Sequence, residues 1–524
     1  MGLSGIVTNL SKVLNPARVL LCLLLALLLY LGYRYTRARF FAPISFDEEF
    51  FVWYGSLMTQ GSVPYRDFFE PKPLVIFFAN CVGLEFFGYS GCLFRIVPTF
   101  LALAAIAVFY LALLRRNIVS WLAALLTAQV AFWLLGPELH DSGLNDTETY
   151  GFAFTLLGFS LGSLSGSIEV RWEKLTLQVL SGVCFGLAVF SKELFVFSVG
   201  PAWVFVAFNR QNVRWDWLQL LFSAAGAIAV AAASLLYLVN HSAFGPYLDL
   251  ISFYRSFAAN YAFDIGRFPR VSGFSVLAPS WAMLHGVLYN FRNLAFVLVL
   301  WVGLIVLIRS SANTASKKVQ LAVALFAVVL GMFAVSVGYC FWVHYFLMGT
   351  MGLVLLSVLS ADALSDFISE KSGALSVITL VVLAGFLCFV GYDATKVVLE
   401  KPATYQPRGW DPLLVQTIDR HSKSGDYILT TEGPLLYVDM NRKGPLGINA
   451  FLDEMLPYLS ANNNLLKIEA LRAGLEKNLP KVCYFPDWLR PRQAKYRELL
   501  FDPLLAKHRY VKVTDSLWYL PEEK

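Results

Sequence analysis

Three consecutive carboxylates, Asp47, Glu48 and Glu49, open an otherwise apolar, aromatic segment that follows the first apolar run of the chain. Asp47 and Glu48 stand before an apolar, aromatic stretch from Phe50 to Met58. This pattern predicts a helix emerging at a membrane surface, a costly place for carboxylates unless they have a task or a partner. A carboxylate there can take or orient the proton of an attacking alcohol. The alternative interpretation of Asp47 is a solvated loop acid.

A second acidic pair, Asp146 and Glu148, precedes another apolar run. If a helix starts at Asn145, which has N-cap chemistry, the two carboxylates lie near one another and could complete an acidic site beside Asp47. The alternative is a capped helix with acids in its first turn, where they stabilise the helix dipole. The sequence leaves both interpretations open.

Several side chains that could bind a phosphate or a metal ion could instead have a purely structural role. Lys72 could be a lysine that extends to the membrane interface, and His344 could be an interfacial residue at the start of a span. Glu70 and His285 share no ligand spacing, and the seven cysteines form no Cys-x-x-Cys or Cys/His pattern. The sequence therefore predicts no required metal or other cofactor, although a divalent cation is left open.

The composition indicates what must position these groups. The 524 residues are 57% hydrophobic and only 15% charged, far from the values of soluble proteins. The formal charge of +6 comes from basic residues scattered between apolar runs, so we expect no nucleic-acid partner. The bilayer must be the main solvent, and membrane lipids are expected partners.

Apolar runs long enough to cross a bilayer predict about eleven transmembrane helices. They lie at Ala17–Tyr33, Leu93–Leu114, Val119–Leu135, Tyr150–Leu164, Leu177–Phe190, Leu194–Phe208, Trp217–Asn240, Leu294–Ile308, Val319–Gly338, Trp342–Ser360 and Ala374–Tyr392. Pro73–Gly88 is shorter and contains Glu85, so it is interpreted as a helix lying at the interface. These predicted spans carry few ionisable residues, which argues against a transporter.

Loop charges set the orientation. Lys and Arg concentrate in alternate connections, for example Arg115 with Arg116, and Lys317 with Lys318. Because such loops resist translocation, the amino terminus is predicted inside. Outside then lie a first loop (34–92), a long loop (241–293) and a tail (393–524). The predicted domains are a membrane domain over residues 1–392 and an extracytoplasmic domain over 393–524.

The tail has a different pattern from the rest of the chain. It predicts a helix over Asn464–Lys477 and strands at Asp426–Thr431, Val482–Phe485, Tyr510–Thr514 and Ser516–Leu520. We interpret it as a small α/β domain outside the membrane.

The first loop resembles that of protein O-mannosyltransferases and of the lipid A aminoarabinose transferase, enzymes of the GT-C glycosyltransferase class. The matching motifs are Asp47-Glu48, Gly61-Ser62-Val63-Pro64-Tyr65, Phe69-Glu70-Pro71-Lys72-Pro73 and Phe94-Arg95-Ile96-Val97-Pro98. Weaker matches are Asn145-Asp146-Thr147-Glu148, Ser191-Lys192-Glu193 and His344-Tyr345-Phe346-Leu347. One departure is Pro71, because the family pattern joins Glu directly to Lys.

The resemblance implies a GT-C-like fold and an inverting glycosyltransferase in an inner, plasma membrane of bacterial type. The sugar donor would be a polyprenyl-phosphate sugar, and the acceptor an envelope glycan, lipid or protein on the non-cytoplasmic side. Asp47 matches the residue that acts on the acceptor hydroxyl, and Glu48, Asp146 and Glu148 complete the expected catalytic set. Expected phosphate-binding residues are Lys72, then Arg66, Lys192 and His344; expected supporting residues are Glu70, Tyr65, Glu193 and His285. The alternative is a transporter or flippase for a lipid-linked precursor.

Overall fold

The computed structural model describes most of the chain. The described residues are 16–42, 44–88, 93–115, 121–134, 145–209, 214–252, 315–336, 345, 347–370, 374–400, 410–430, 433–446, 468–485 and 497–522. They form two compact units. Unit 1 comprises Met1–Ala42, Pro98–Ala232 and Val271–Thr404, and unit 2 comprises Pro43–Val97, Ala233–Arg270 and Tyr405–Lys524. The predicted domain boundary between residues 392 and 393 stays a prediction.

The helices that build unit 1 are long and apolar. They are α1 (Pro16–Phe40), α4 (Ile96–Arg115), α5 (Trp121–Leu134), α6 (Thr147–Ser165), α7 (Arg171–Val189), α8 (Val196–Ala207), α9 (Trp217–Asn240), α10 (Ala315–Ser336), α11 (Leu347–Glu370) and α12 (Ala374–Glu400). The start of α4 and the end of α9 belong to unit 2. A short hairpin, β1 (Phe208–Asn209) with β2 (Arg214–Trp215), joins α8 to α9.

Five of the described helices are long and apolar enough to cross a membrane. They are Ala17–Phe40, Leu93–Arg115, Trp217–Asn240, Leu347–Asp366 and Leu375–Tyr392. Together with the composition, they support an integral membrane protein. The count of eleven spans stays a prediction, and the span at Leu294–Ile308 lies outside the described residues.

Glycines bring helices of unit 1 into close contact, as small residues do in membrane bundles. Gly158 on α6 lies against Phe185 on α7, and a side chain at Gly182 would collide with the Ser223 carbonyl oxygen on α9. The Ser181 hydroxyl donates to the Gly158 carbonyl oxygen at 2.6 Å. These contacts leave no room for larger residues along the α6–α7–α9 seam.

Several helices extend beyond the predicted spans: α1 ends at Phe40, α11 at Glu370 and α12 at Glu400. In α11 this continuation buries Asp362 at 1% exposure. The predicted span Trp342–Ser360 itself contains no acid. The differences arise because the apolar window ends before the helix does.

Unit 2 begins with two helices from the first loop, α2 (Phe46–Thr59) and α3 (Leu74–Phe87), each of 14 residues. At 1.5 Å per residue, α3 is about 21 Å long, too short to cross the hydrocarbon core. This length agrees with the interface interpretation of Pro73–Gly88. Gly55 on α2 approaches Asn80 on α3 so closely that a Cβ at this position would lie 2.7 Å from the Asn80 Cβ.

The tail contributes helices and a small sheet to unit 2. Its elements are α13 (Pro412–His421), β3 (Ile428–Thr430), α14 (Leu435–Asp439), α15 (Ile468–Lys477), β4 (Val482–Tyr484), α16 (Asp502–Lys507), β5 (Val511–Lys512) and β6 (Leu517–Tyr519). The strand order is β3-β4-β6-β5, with β3 parallel to β4 and the other pairs antiparallel. The four predicted strand positions are confirmed, although each strand is shorter than expected.

The tail does not pack by itself. Within unit 2, Leu435 of α14 shares a buried cluster with Val52 of α2 and Leu84 of α3. The Tyr437 ring lies 5.6 Å from the Trp53 ring, between centroids. The tail therefore supports the helix that carries the first acidic pair. These contacts show a tail that packs together with the first loop and not as a separate domain.

Candidate functional site

The first acidic pair lies in the first turn of α2. Ser45 caps this helix: its side chain accepts a hydrogen bond from the Glu48 backbone N–H at 3.3 Å, while its own N–H donates to Glu48 Oε2 at 3.0 Å. This reciprocal capping box fixes the start of the helix. Asp47 is thereby placed at a defined position in the first turn.

Glu48 is fully buried in an ion pair with Arg95. The guanidinium Nε donates to Glu48 Oε1 at 2.9 Å and Nη2 donates to Oε2 at 2.5 Å, with both side chains at 0% exposure. A two-point contact of this kind is rigid and charge-compensated. Glu48 thus connects the start of α2 to the segment that opens α4.

Asp47 has different surroundings, although it is the next residue in the chain. Its side chain is partly exposed, and within the described part of the chain its carboxylate forms no hydrogen bond or ion pair. A carboxylate that protein donors do not satisfy keeps its lone pairs available for a proton. Of the two neighbours, Asp47 is the one placed to react.

The loop from Gly61 to Pro73 is held by its own side chains. The Tyr65 hydroxyl donates to the Lys72 carbonyl oxygen at 2.8 Å, and Tyr65 has a positive φ of 68°. This left-handed backbone is strained for a tyrosine. Its ring packs 6.0 Å from Phe77 and 4.9 Å from Tyr247, between centroids, which holds the conformation in place.

Glu70 and Lys72 are connected in spite of the intervening Pro71. The Lys72 backbone N–H donates to the Glu70 carboxylate. Glu70 is only 5% exposed, and this burial raises its pKa to about 7; Lys72 acts against the shift and Asp47 adds to it. The partly exposed Lys72 and the carboxylates of Glu70 and Asp47 therefore form one electrostatic group in unit 2.

The second acidic pair lies at the start of α6 in unit 1. Glu148 forms a buried ion pair with Lys192, and Thr147 Oγ1 donates to Glu148 Oε2 at 2.7 Å. The Lys192 Nζ also lies 3.5 Å from the centroid of the Tyr345 ring, a cation–π contact. Asp146, 2% exposed, is the N-cap residue, yet its side chain makes no capping hydrogen bond.

These positions correct one boundary prediction. The helix begins at Thr147 and not at Asn145, because Asn145 is buried and accepts a hydrogen bond from the Tyr150 hydroxyl at 3.0 Å. Glu148 lies in the first turn, as the alternative interpretation expects, but the N-cap residue Asp146 makes no side-chain capping hydrogen bond. The prediction that they complete one site with Asp47 stays a prediction.

The chain was compared with known proteins. No family model matches the sequence, and no curated protein is significantly similar to it. Solved structures do match. ArnT from Cupriavidus metallidurans bound to undecaprenyl phosphate has a TM-score of 0.56 and 12% identity, covering 96% of this chain and 98% of its own.

Two further structures agree. The oligosaccharyltransferase of Archaeoglobus fulgidus, in complex with zinc and sulfate, has a TM-score of 0.50 and 15% identity, covering 94% of this chain and 73% of its own. ArnT from C. metallidurans in the apo state has a TM-score of 0.51 and 15% identity, covering 82% and 86%. The chain has a GT-C-like fold. The implied fold is thereby confirmed, while identities this low carry nothing beyond the fold.

Within this GT-C-like fold, the other predicted site residues divide into three groups. Arg66 is half-exposed and forms a two-point ion pair with the adjacent Asp67, at 2.7 and 2.8 Å. Glu193 is exposed in a short 3-10 turn after Lys192. His285 and His344 lie outside the described residues. The roles assigned to all four stay predictions.

Two residues of these clusters received no role from the sequence. Arg95 is the partner of Glu48. The sequence contained a hint of this role, because a single arginine at the start of an apolar span is energetically costly unless it has an anionic partner. Tyr345, beside Lys192, carried no such signal, because aromatic residues are common at helix ends. Both are recognised only from contacts between residues far apart in the sequence.

Metal binding finds no support in the described part of the chain. No group of three His, Cys, Asp or Glu side chains is close enough there to hold an ion. We therefore derive no chemical step through a metal, and the expectation that none is required stays a prediction.

Proposed function

We propose that the protein is an inverting glycosyltransferase that moves a sugar from a polyprenyl-phosphate carrier to an acceptor hydroxyl. The proposed site faces the non-cytoplasmic side of the membrane, which for a bacterial cell is the outer side of the inner membrane. The observation that carries the proposal is the contrast at α2: Glu48 is held by Arg95, while Asp47, beside it, is partly exposed and, like Lys72, acts electrostatically on Glu70. The fold shared with ArnT supports it.

Asp47 is proposed as the general base. It accepts the proton of the acceptor hydroxyl as that oxygen forms a bond to the anomeric carbon. The bond from the anomeric carbon to the phosphate oxygen breaks on the opposite side, and its electron pair leaves with the polyprenyl phosphate. One displacement of this kind inverts the anomeric centre.

Lys72 is proposed to bind the phosphate of the donor. Negative charge grows on the leaving phosphate, and an ammonium group positioned beforehand stabilises it. The hydrogen bonds of Tyr65 and Glu70 hold the Lys72 backbone at both its carbonyl oxygen and its N–H, so the origin of the side chain is fixed. The prenyl chain would stay in the bilayer, where each buried methylene adds ~0.8 kcal/mol.

Lys192 is proposed as a phosphate-binding residue of unit 1, considered by itself. Its ammonium already has an anionic partner in Glu148 and an aromatic partner in Tyr345. A lysine has three rotatable N–H donors, so its ammonium can contact a second anion while it keeps the first. A phosphate would share the ammonium with Glu148, because this buried carboxylate is costly without its partner.

The donor class is tested with purified protein in lipid nanodiscs. The protein is supplied with an acceptor fraction of the source-cell envelope that has been freed of polyprenyl phosphates, and with either lipid-linked sugars extracted from the source cells or nucleotide sugars. Sugar transfer to the acceptor and release of polyprenyl phosphate are followed by mass spectrometry. We expect transfer only from the lipid-linked sugars. Lys72→Ala should weaken binding of undecaprenyl phosphate by about tenfold or more, the loss of one charge-assisted contact.

The matched control is Lys423→Ala, an exposed lysine of the tail. It should leave binding unchanged. Sugar transfer from a nucleotide donor in the complete absence of polyprenyl phosphate would refute the proposal. So would equal binding by the Lys72 variant and the wild-type protein.

A further inference from the structure

Glu70 is the most deeply buried member of the group formed with Asp47 and Lys72. It is 5% exposed, whereas Asp47 and Lys72 are both partly exposed. Among the described residues, three titratable side chains act on it: Lys72 from its own loop, and Asp47 and Tyr54 from α2. The Tyr54 hydroxyl donates to the Phe69 carbonyl oxygen at 3.1 Å, so that donor is used elsewhere.

The charges of this group do not balance once an anionic ligand binds. Two carboxylates face one ammonium, and the Lys72 backbone N–H already serves Glu70. A donor phosphate at Lys72 brings a third negative charge to the same place. Burying an ionised carboxylate costs free energy unless a positive charge compensates it. The most deeply buried acid of the group is therefore the one that becomes protonated. Glu70 is that acid.

We propose that Glu70 becomes more fully protonated, with net uptake of protons from solution, when the donor phosphate binds at Lys72. This inference rests on the proposed function, because it requires an anion at Lys72. Protonated Glu70 is neutral and no longer competes for the ammonium of Lys72. The full positive charge of Lys72 then acts on the phosphate, and Asp47 stays the ionised base.

The direction of the pH dependence follows from the state of the free protein. Burial raises the pKa of Glu70 to about 7, so near neutrality small changes in its surroundings decide its protonation. A bound anion raises that pKa further, because like charges disfavour ionisation. Donor binding is then tightest below about pH 7 and weakens as the pH rises through the raised pKa, with at most one proton linked.

The test uses a probe that does not titrate in this range. A phosphate monoester loses its second proton near pH 6, which would obscure the result. The methyl ester of undecaprenyl phosphate is a diester with a single fixed charge. Its dissociation constant is measured for the full chain in nanodiscs between about pH 6 and pH 8.5. Proton uptake is measured near pH 7.5 by calorimetry in two buffers of different ionisation enthalpy.

For the wild-type protein we expect net proton uptake on binding. We also expect the dissociation constant to increase about threefold to tenfold from the lowest to the highest pH, as follows if binding raises the pKa of Glu70 by roughly half to one unit. Glu70→Gln should bind at all pH values as the wild type does at low pH. Glu85→Gln, a change at an exposed glutamate of α3, should keep the wild-type pH dependence.

Three outcomes would overturn the inference. The first is binding by the wild-type protein without proton uptake, which needs no variant and holds even if Glu70→Gln does not fold. The second is an unchanged pH dependence in Glu70→Gln. The third is absence of binding at every pH, and this result alone also contradicts the donor proposal.

Discussion

The starts of α2 and α6 are similar but differ in one basic residue. The first turn of α2 carries Asp47, Glu48 and Glu49, whereas α6 has Asp146 at its N-cap and Glu148 in its first turn. At each start one glutamate pairs with a basic residue far along the chain: Glu48 with Arg95, and Glu148 with Lys192. At α2 the partner is a guanidinium that makes two parallel hydrogen bonds. At α6 it is an ammonium that also lies on an aromatic ring.

The difference separates a structural pair from one that can take a second anion. A planar guanidinium matches a carboxylate at two points, which fixes its donors. An ammonium has three rotatable donors, so it can contact a second anion while it keeps its carboxylate. We therefore interpret Glu48–Arg95 as a support that positions Asp47, and Glu148–Lys192 as a pair whose ammonium a phosphate can share.

The largest expected effect comes from Asp47, the partly exposed acid of α2. Asp47→Asn removes the proposed base and keeps the shape of the side chain, so turnover should fall by ~10² to 10⁴. Donor affinity and thermal unfolding should stay close to the wild type. Turnover of purified variants in nanodiscs is the measurement, and near-normal turnover would reject Asp47 as the base.

The second effect concerns stability. Arg95→Ala leaves Glu48 buried at 0% exposure without its partner, which should cost about 3–5 kcal/mol of unfolding free energy. The control is Arg66→Ala, whose pair with Asp67 is half-exposed and should contribute about 0–1 kcal/mol. Thermal unfolding followed by intrinsic fluorescence compares the two. Equal shifts would mean that Glu48–Arg95 is not a structural support.

The sequence was sufficient to identify the acids Asp47 and Glu48 as site residues, but not to assign them different roles. Asp47 and Glu48 look alike in the sequence, since both open the same apolar segment, and only the contact with Arg95, 47 positions after Glu48, separates them. The strands of the tail were predictable because alternation and turn residues are local signals. Packing of Tyr437 against Trp53 was not, because no local pattern encodes a contact across almost the whole chain.

The third prediction tests whether the Lys192 ammonium, which pairs with Glu148 at the start of α6, can also bind a phosphate. Lys192→Arg keeps the charge, but its guanidinium would hold Glu148 at two points and would not fit the close contact with Tyr345 in the same way. Undecaprenyl phosphate should bind about tenfold more weakly. The free energy of unfolding should change by about 1 kcal/mol or less. Unchanged affinity would assign Glu148–Lys192 a structural role, like that of Glu48–Arg95.

The smallest effect concerns the second support of α2, the tail of unit 2. The Tyr437 ring packs against Trp53, while its hydroxyl donates to the Thr430 carbonyl oxygen at 3.3 Å and accepts from the Thr430 N–H at 3.2 Å. Tyr437→Phe keeps the ring and removes these hydrogen bonds, so stability should fall by about 1 kcal/mol while turnover stays normal.

Tyr437→Ala removes the ring as well and opens a gap beside Trp53, six residues after the base. Large aromatic truncations cost about 3–5 kcal/mol, and here the loss should also lower turnover, because α2 would no longer be held in place. Only this second variant should therefore affect catalysis. If Tyr437→Phe lowers turnover as much as Tyr437→Ala does, the tail acts through the hydroxyl group and not by supporting α2.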